Sequence, residues 1–306
     1  MENTALKCLS NHGKTWRFAS FLLSKQQVEQ AARLYYFCRC IDDIADSTAN
    51  KQLAFESLEE VQRQLSLGKS EEPFVDDFLQ LSSQLDIPVM HAFTLVRGVQ
   101  SDIDSVLIQS ECELIQYAYR VAGVVGLMMC PILKADNKGM PYAIDLGIAL
   151  QLTNIARDVL EDAEMGRRYL PYQWCPIAPE DIASDERESV RTTVSDAIVR
   201  LLTLADQYYS SARQGYQFLP PPSRRAIIVA ESVYRQIGVK LRKRGLQYWK
   251  GRTVVTPFSK VAVAMSALST SALEATEGHD TCLHQPLVLL SEYKKFRSEF
   301  DGNTQS

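Results

Sequence analysis

The chain is predicted to be all-α. Helical spacing of apolar residues dominates its length, the Val/Ile/Thr alternation that marks a sheet is nearly absent, and prolines stand where helices begin. In order, the pattern predicts helices at about 26–46, 51–66, 73–84, 88–108, 110–133, 140–164, 188–217, 222–249 and 257–272. Pro73, Pro88, Pro141 and Pro257 sit at helix starts, where a missing N–H costs nothing. Pro220, Pro221 and Pro222 separate two long helices, and the segment from Pro171 to Pro179 is the longest loop. No Gly/Ser linker divides the 306 residues and no internal period marks a solenoid. A single domain over 1–306 is therefore expected, its core at about 14–300 and a polar tail beyond about Phe300.

The bulk numbers exclude several classes of function. A hydrophobic share of 46% supports a sizeable core, and a net charge of -4 gives no overall attraction to nucleic acid or anionic lipid. Seven cysteines cannot all pair within one chain, Cys38 and Cys40 are too close to bridge on a helix, and no CxxC occurs. Reduced thiols in a cytoplasmic protein follow. The start, MENTALKCLSNHGK, carries no apolar signal region, and no run approaches the roughly 20 apolar residues of a membrane span, so the protein is expected to be neither exported nor anchored through a bilayer.

The stretch CRCIDDIAD, residues 38 to 46, places aspartates directly after the apolar VEQAARLYYFC. An unpaired buried carboxylate costs several kcal/mol or more, so something must hold that charge. On a helix Asp42 and Asp46 share one face at i and i+4, with Arg39 and Tyr35 on the same face, while Asp43 points about 100° away. By itself this reads as Arg39 pairing with Asp42 on a solvated edge. A second segment, QLTNIARDVLED at 151–162, puts Gln151, Asn154, Asp158 and either Glu161 or Asp162 on one face, again behind an apolar run. Two helices far apart in sequence thus carry oxygen donors at turn spacing.

Carboxylate and amide oxygens without histidine suit a hard cation such as Mg²⁺ that shares its shell with phosphate. Zinc and di-iron readings fail because none of His12, His91, His279 and His284 completes a Glu-x-x-His pair; His279 and His284, flanking Cys282, read as a chance cluster in a loop. Arg167, Arg168 and Tyr169 follow Asp162 closely enough to meet phosphate oxygens. Lys240, Arg242, Lys243, Arg244, Lys250, Arg252 and Lys260 form a later basic run, read mostly as a solvated face; a nucleic-acid patch beside Tyr248 and Trp249 is disfavoured by the acidic balance. Gly123 and Gly126 each cost a helix about 1 kcal/mol, so they need either a close helix crossing or an apolar ligand, with Met128 and Met129 as adaptable walls.

The order DDIAD, YAYRVAGVVG, QLTNIARDVLED with RRYLP, VYRQIG and WKGRTVV resembles the squalene and phytoene synthase family of head-to-head prenyl transferases, from about Lys14 to Leu268. The last block looks like the bacterial phytoene synthases. The resemblance implies an isoprenoid-synthase bundle of helices around a deep cavity. It further implies that Asp42, Asp46, Asn154, Asp158 and Asp162 hold Mg²⁺, with Mn²⁺ as a substitute, that Arg39, Arg157, Arg167, Tyr169, Arg252 and Lys260 bind diphosphate or order the site, and that Tyr35, Tyr119, Gln151 and Tyr234 lie near the reacting carbons. Relatives often open with Ser-x-Ser-Phe; here Gly13, Lys14, Thr15 and Trp16 stand there, and Thr15 keeps one hydroxyl at the site mouth.

The implied reaction condenses two geranylgeranyl diphosphates through a cyclopropyl diphosphate to phytoene, without NADPH, in carotenoid biosynthesis. The alternative is a squalene or dehydrosqualene synthase that uses farnesyl diphosphate. Small residues at Ala31, Ala32 and Ser20, near Tyr35, leave depth for the longer tail. A non-catalytic helical assembly factor would show eroded Asp motifs, and a terpene cyclase or head-to-tail transferase would lack VAGVVG between them. Phytoene's insolubility implies peripheral contact with the inner face of a membrane and handover to a phytoene desaturase.

Overall fold

The structure is a computed structural model that describes residues 4–8, 21–47, 50–104, 106–270 and 278–303. Among these residues it is built from helices, and the only β-type pairing is an isolated bridge between Leu107 and Arg168. In chain order the helices are α1 (Lys25–Ser47), α2 (Lys51–Leu67), α3 (Pro73–Leu85), α4 (Val89–Gln100), α5 (Glu111–Ala118), α6 (Val124–Leu133), α7 (Met140–Glu164), α8 (Pro179–Ser184), α9 (Glu188–Gln214), α10 (Pro221–Lys243), α11 (Pro257–Thr270) and α12 (Ser291–Asn303). Local chemistry sets their ends. Asn50 accepts from the N–H of Gln52 at 3.0 Å to start α2, Ser110 accepts from Glu113 at 3.2 Å to start α5, and Gly68 closes α2 in the left-handed region at φ 65°.

α7 is the central helix, packing against α6, α8, α9 and α10, while α1 packs against α2, α3, α4 and α6 on the other side. One connected cluster of buried apolar side chains runs from Leu34 and Phe37 of α1 to Tyr293 and Phe296 of α12. Crossings at α7 are close. A Cβ on Gly126 would lie 2.2 Å from the Ala143 carbonyl oxygen, and one on Gly147 would lie 2.3 Å from that of Ala122. Only glycine allows these backbones to touch.

Three sequence expectations are corrected. The helix from about 88 to 108 ends at Gln100, because the run Ser101–Asp102–Ile103–Asp104 forms a turn. The helix at 222–249 ends at Lys243 and is followed by a left-handed Gly245 and Leu246. The region after 278 holds a 3₁₀ stretch, Thr281–Leu289, and then α12, which reaches Asn303 beyond the expected tail at Phe300. The segment Glu111–Leu133 is, by length and composition, apolar enough to cross a membrane, yet 61% of its apolar window is buried inside this fold. It is interrupted by a π turn at Tyr119–Gly123, where the Val124 N–H reaches the Tyr119 carbonyl. All seven cysteines are unpaired.

Candidate active site

α1, α6, α7, the end of α9 and α10 enclose a deep apolar cavity. Tyr35 and Cys38 of α1, Gln151 and Asn154 of α7 and Tyr234 of α10 line its polar end. Twelve residues back along α7, about 18 Å at helical rise, Tyr142 stacks on Phe218 with ring centroids 5.7 Å apart and closes the far end beside Leu219. Gly126, Gly147 and Met129 line the walls, so the close crossing and the space for an apolar ligand have the same glycines as their cause. Gly123 and Met128 are spent on packing: a Cβ on Gly123 would meet the Tyr119 ring at 3.0 Å, and Met128 is wholly buried in the core.

Two acidic faces meet at the polar end. On α1, burial pushes the Asp42 carboxyl up to about 7; Arg39 opposes this, and Asp46 and Asp102 reinforce it. Asp46 is half-exposed and receives Arg167 from beyond α7, at 3.2 and 3.3 Å. On α7, burial pushes Asp162 up to about 8, and the charge of Asp158 adds to the effect while that of Arg167 opposes it. Asp158 sits at a kink in the helix, φ -106° and ψ 15°. It accepts from Arg157 at 2.7 Å and from Arg252 at 2.9 Å. Arg157 is thereby held protonated against its own burial, with Tyr234 also beside it.

Arg39 pairs with Asp43 at 2.5 Å, not with Asp42, so the sequence reading of that pair is corrected. The i+4 carboxylate lies along the helix within reach of the guanidinium fork. Asp42 is left inside the site.

A further acid, from neither of the two helices, completes the arrangement. Asp102, in the turn after α4, accepts from the Tyr117 hydroxyl at 2.8 Å and from the Tyr169 hydroxyl at 3.0 Å. Burial pushes it up to about 6, the two tyrosines oppose that, and it feels the charges of Arg167 and Asp46. Sequence reasoning missed it because a helix running to about 108 concealed it; the turn-forming Ser-Asp-Ile-Asp-Ser run was the available signal.

Several expected residues lie elsewhere. Tyr119 is not on the cavity wall: its ring meets Tyr293 of α12 edge-on at 5.7 Å, and Tyr117, two residues earlier, is the tyrosine that reaches the acidic cluster. Arg168 is buried and donates to the carbonyls of Ile177 and Ile108 at 3.1 and 3.3 Å, which pins the loop after α7. Ala32 packs against Ala5 and Leu6, not against the cavity, and Ala31 joins the general core, so the depth argument from these alanines fails. Lys260 is in the first turn of α11. Thr15, Gly13, Lys14, Trp16, Ser20 and His12 lie outside the described residues.

The polar end fits a hard divalent cation. Among the described residues the Asn154 Oδ1 is buried with no hydrogen-bond partner, as are Glu161 Oε2 and Arg39 Nε. Unsatisfied buried polar atoms of this kind mark a place for an ion or ligand. Burial raises the carboxyls of Asp42 and Asp162, with neighbouring acids adding to it, and a bound cation would offset that cost of holding them ionised. A separate group, Asp145, His279 and His284, has its ligand atoms within 4.8 Å of one another. Its contacts are hydrogen bonds: His279 and His284 reach the wholly buried Asp145 at 2.8 and 2.7 Å, and Ser211 donates to it at 2.6 Å. Burial raises the Asp145 carboxyl, but the two histidines outweigh it and hold it below its ordinary value. The pair read as a chance cluster therefore docks the C-terminal segment on α7. His279 also meets the Tyr142 ring edge-on at 5.0 Å, behind the closed end of the cavity.

Comparison with known proteins gives the same picture. A family model described as squalene/phytoene synthase matches residues 9–259. A 15-cis-phytoene synthase of Enterobacter agglomerans is 35% identical over 269 residues, 83% of this chain and 90% of that protein. A 15-cis-phytoene synthase of Pantoea ananas is 33% identical and covers 90% of this chain and 94% of its own length. Among solved structures, a dehydrosqualene synthase in complex with a ligand superposes with a TM-score of 0.78 at 25% identity, covering 88% of this chain and 95% of that one. A squalene synthase from Alicyclobacillus acidocaldarius shares the fold, with a TM-score of 0.68 at 19% identity over 80% of this chain and 94% of its own.

Proposed function

We infer that this chain, which belongs to the squalene/phytoene synthase family, is a prenyltransferase that makes phytoene. The observation that carries the reaction class is the meeting of two carboxylate-bearing helices over one apolar cavity. The relatives of 30–35% identity named as phytoene synthases carry the product.

Two geranylgeranyl diphosphates are the proposed substrates, their tails in the cavity and their diphosphates at its polar end. Asp42, Asp46, Asn154, Asp158 and Asp162 would hold Mg²⁺, or Mn²⁺ in its place. The ion supplies charge neutralisation that lets diphosphate leave an allylic carbon. Arg39, Arg157, Arg167 and Arg252 add positive charge around the leaving group, and Tyr169, through Asp102, keeps the loop carrying Arg167 in place. Thr15 and Lys260 are assigned to diphosphate on family resemblance.

Once the bond to diphosphate breaks, the allylic cation must meet the second prenyl double bond before water does. Burial pushes the Tyr35 hydroxyl up to about 12, so it stays protonated beside the cavity, and Tyr234 and Gln151 complete that rim. A cyclopropyl diphosphate forms, ionises, rearranges and loses a proton to give the triene. The apolar walls exclude water, which would otherwise trap the cation as an alcohol. No nicotinamide reductant enters this route.

Farnesyl diphosphate is the second candidate substrate, favoured by the fold match to a dehydrosqualene synthase. Incubating purified protein with Mg²⁺ and either diphosphate, without NADPH, and identifying the hydrocarbon decides between them. Phytoene from the geranylgeranyl substrate is expected, and consumption of farnesyl diphosphate alone overturns the assignment. A water-insoluble product argues for a cytoplasmic enzyme in peripheral contact with the inner face of a membrane, handing phytoene to a desaturase.

A further inference from the structure

We propose that α11, with Val254 and Phe21 at its margins, is the face by which this protein lies on an anionic lipid bilayer. The proposal rests on the reading of substrate and product as long prenyl compounds, and it names the surface that reading leaves open.

A helix on the outside of a globular protein ordinarily turns its apolar stripe inward and its polar side to water. α11 does the first and not the second. Its inner side, at Ala264 and Leu268, packs on Val229 and Ala230 of α10. Its outer side presents Phe258, Val261 and Met265, which are 86%, 49% and 66% exposed and share one stripe at i, i+3 and i+7. Val254 precedes the helix at 68% exposure. Phe21, 79% exposed, borders it too, since its neighbour Leu22 packs into the same Val229, Ala230 and Ala264 cluster. Single exposed apolar residues are ordinary, but a run of this kind marks a contact surface.

Charge selects the occupant. From Lys240 to Thr270 the chain carries seven Lys and Arg residues and no Asp or Glu, on a molecule whose net charge is -4. Arg242 is paired with Asp206 and Arg252 with Asp158, and the family resemblance places Lys260 at diphosphate; among the described residues the others have no such acidic partner. The Lys240 ammonium donates to the Val254 carbonyl at 3.3 Å, so one of these cations stands at the margin of the apolar stripe. An apolar stripe with a cation at its margin, on a segment that carries no Asp or Glu of its own, suits the boundary between anionic headgroups and acyl chains. A second copy docking isologously would set this basic segment against itself. The position also serves the reaction: Ile227 and Tyr234 of α10 line the cavity, while Val229 and Ala230 of the same helix carry α11. One helix separates the lipid face from the prenyl tails.

The test is co-sedimentation of the full chain with vesicles of phosphatidylglycerol and phosphatidylethanolamine, against phosphatidylcholine alone, at low and high salt. Binding to the anionic vesicles that weakens with salt is expected. The double variant F258S/M265S should lower partitioning about a hundredfold, by loss of two side chains from the acyl boundary. Its far-UV circular dichroism and its turnover of detergent-solubilised prenyl diphosphate should be unchanged. Wild-type protein that stays in the supernatant, or a variant that binds as tightly as wild type, overturns the proposal. So does a self-association seen by light scattering that the variant abolishes while vesicle binding persists. Vesicle binding without turnover would instead count against the prenyltransferase reading, so the two failures are distinguishable.

Discussion

Arg167 joins the two acidic faces: carried on the loop after α7, its guanidinium donates to Asp46 of α1 at 3.2 and 3.3 Å. Burial works against its charge, but Tyr169, Asp102 and Asp46 around it outweigh that and hold it protonated. A cation in that position meets diphosphate as the leaving group gains charge. Arg167→Gln is expected to lower turnover about a hundredfold. Stability should change by no more than about 1 kcal/mol, since Asp46 is half-exposed. Steady-state kinetics with chemical denaturation separates the two, and unchanged turnover would remove Arg167 from the site.

Asp158 is held by two arginines, Arg157 and Arg252, each reaching both of its oxygens. Asp158→Asn keeps the shape and removes the charge. Turnover is expected to fall below detection while circular dichroism stays native, and Asp46→Asn should behave the same way. Chelation of divalent cations should abolish turnover in the wild type, with recovery on adding Mg²⁺. Full activity in either variant would take that residue out of the metal site.

Gly147 has no room for a methyl group, because a Cβ there would lie 2.3 Å from the Ala122 carbonyl oxygen and 2.8 Å from the Gly123 Cα. Backbone cannot move aside as a flexible side chain can. Gly147→Ala should cost about 1–3 kcal/mol by overpacking, read as a lower urea midpoint. The same residue lines the cavity, so prenyl binding should weaken as well. A midpoint equal to that of wild type would mean that α7 and the π turn at Tyr119–Gly123 part easily.

His91, in the first turn of α4, is held neutral: burial pushes its imidazole down to about 4. The unfolded chain takes up that proton near pH 6.5. The folded chain is therefore favoured fully above that pH, and the contribution is lost as pH falls toward 4, by about 3 kcal/mol in all. His91→Gln has no such proton. Urea unfolding at pH 7 and pH 4 should show wild type losing more stability than the variant by about that amount, and equal losses would show that His91 is solvated.

The all-α class and the helices bearing CRCIDDIAD and QLTNIARDVLED were legible because helical periodicity and proline placement are local properties of the chain. The acid pattern was legible for the same reason, since i, i+4 spacing alone puts Asp42 with Asp46 and Asn154 with Asp158. Errors arose where a local pattern has two readings. Ser101 to Asp104 can continue a helix or break it, and breaking it delivered Asp102 to the site unannounced. Ala32 has a small side chain in either setting, and the helical turn at residues 4–8, not the cavity, was its neighbour.

What the sequence by itself determined is the helical class, the two acidic faces and, through resemblance, the family. Tertiary structure alone decided which acids crowd together, which tyrosine reaches them, where the cavity ends and why His279 and His284 are buried. The physical reason is range: periodicity and capping act over a few residues, whereas the Tyr117–Asp102–Tyr169 cluster and the Asp145–His284 bond join residues 15, 67 and 139 positions apart. Contacts of that span exist only after the helices have packed.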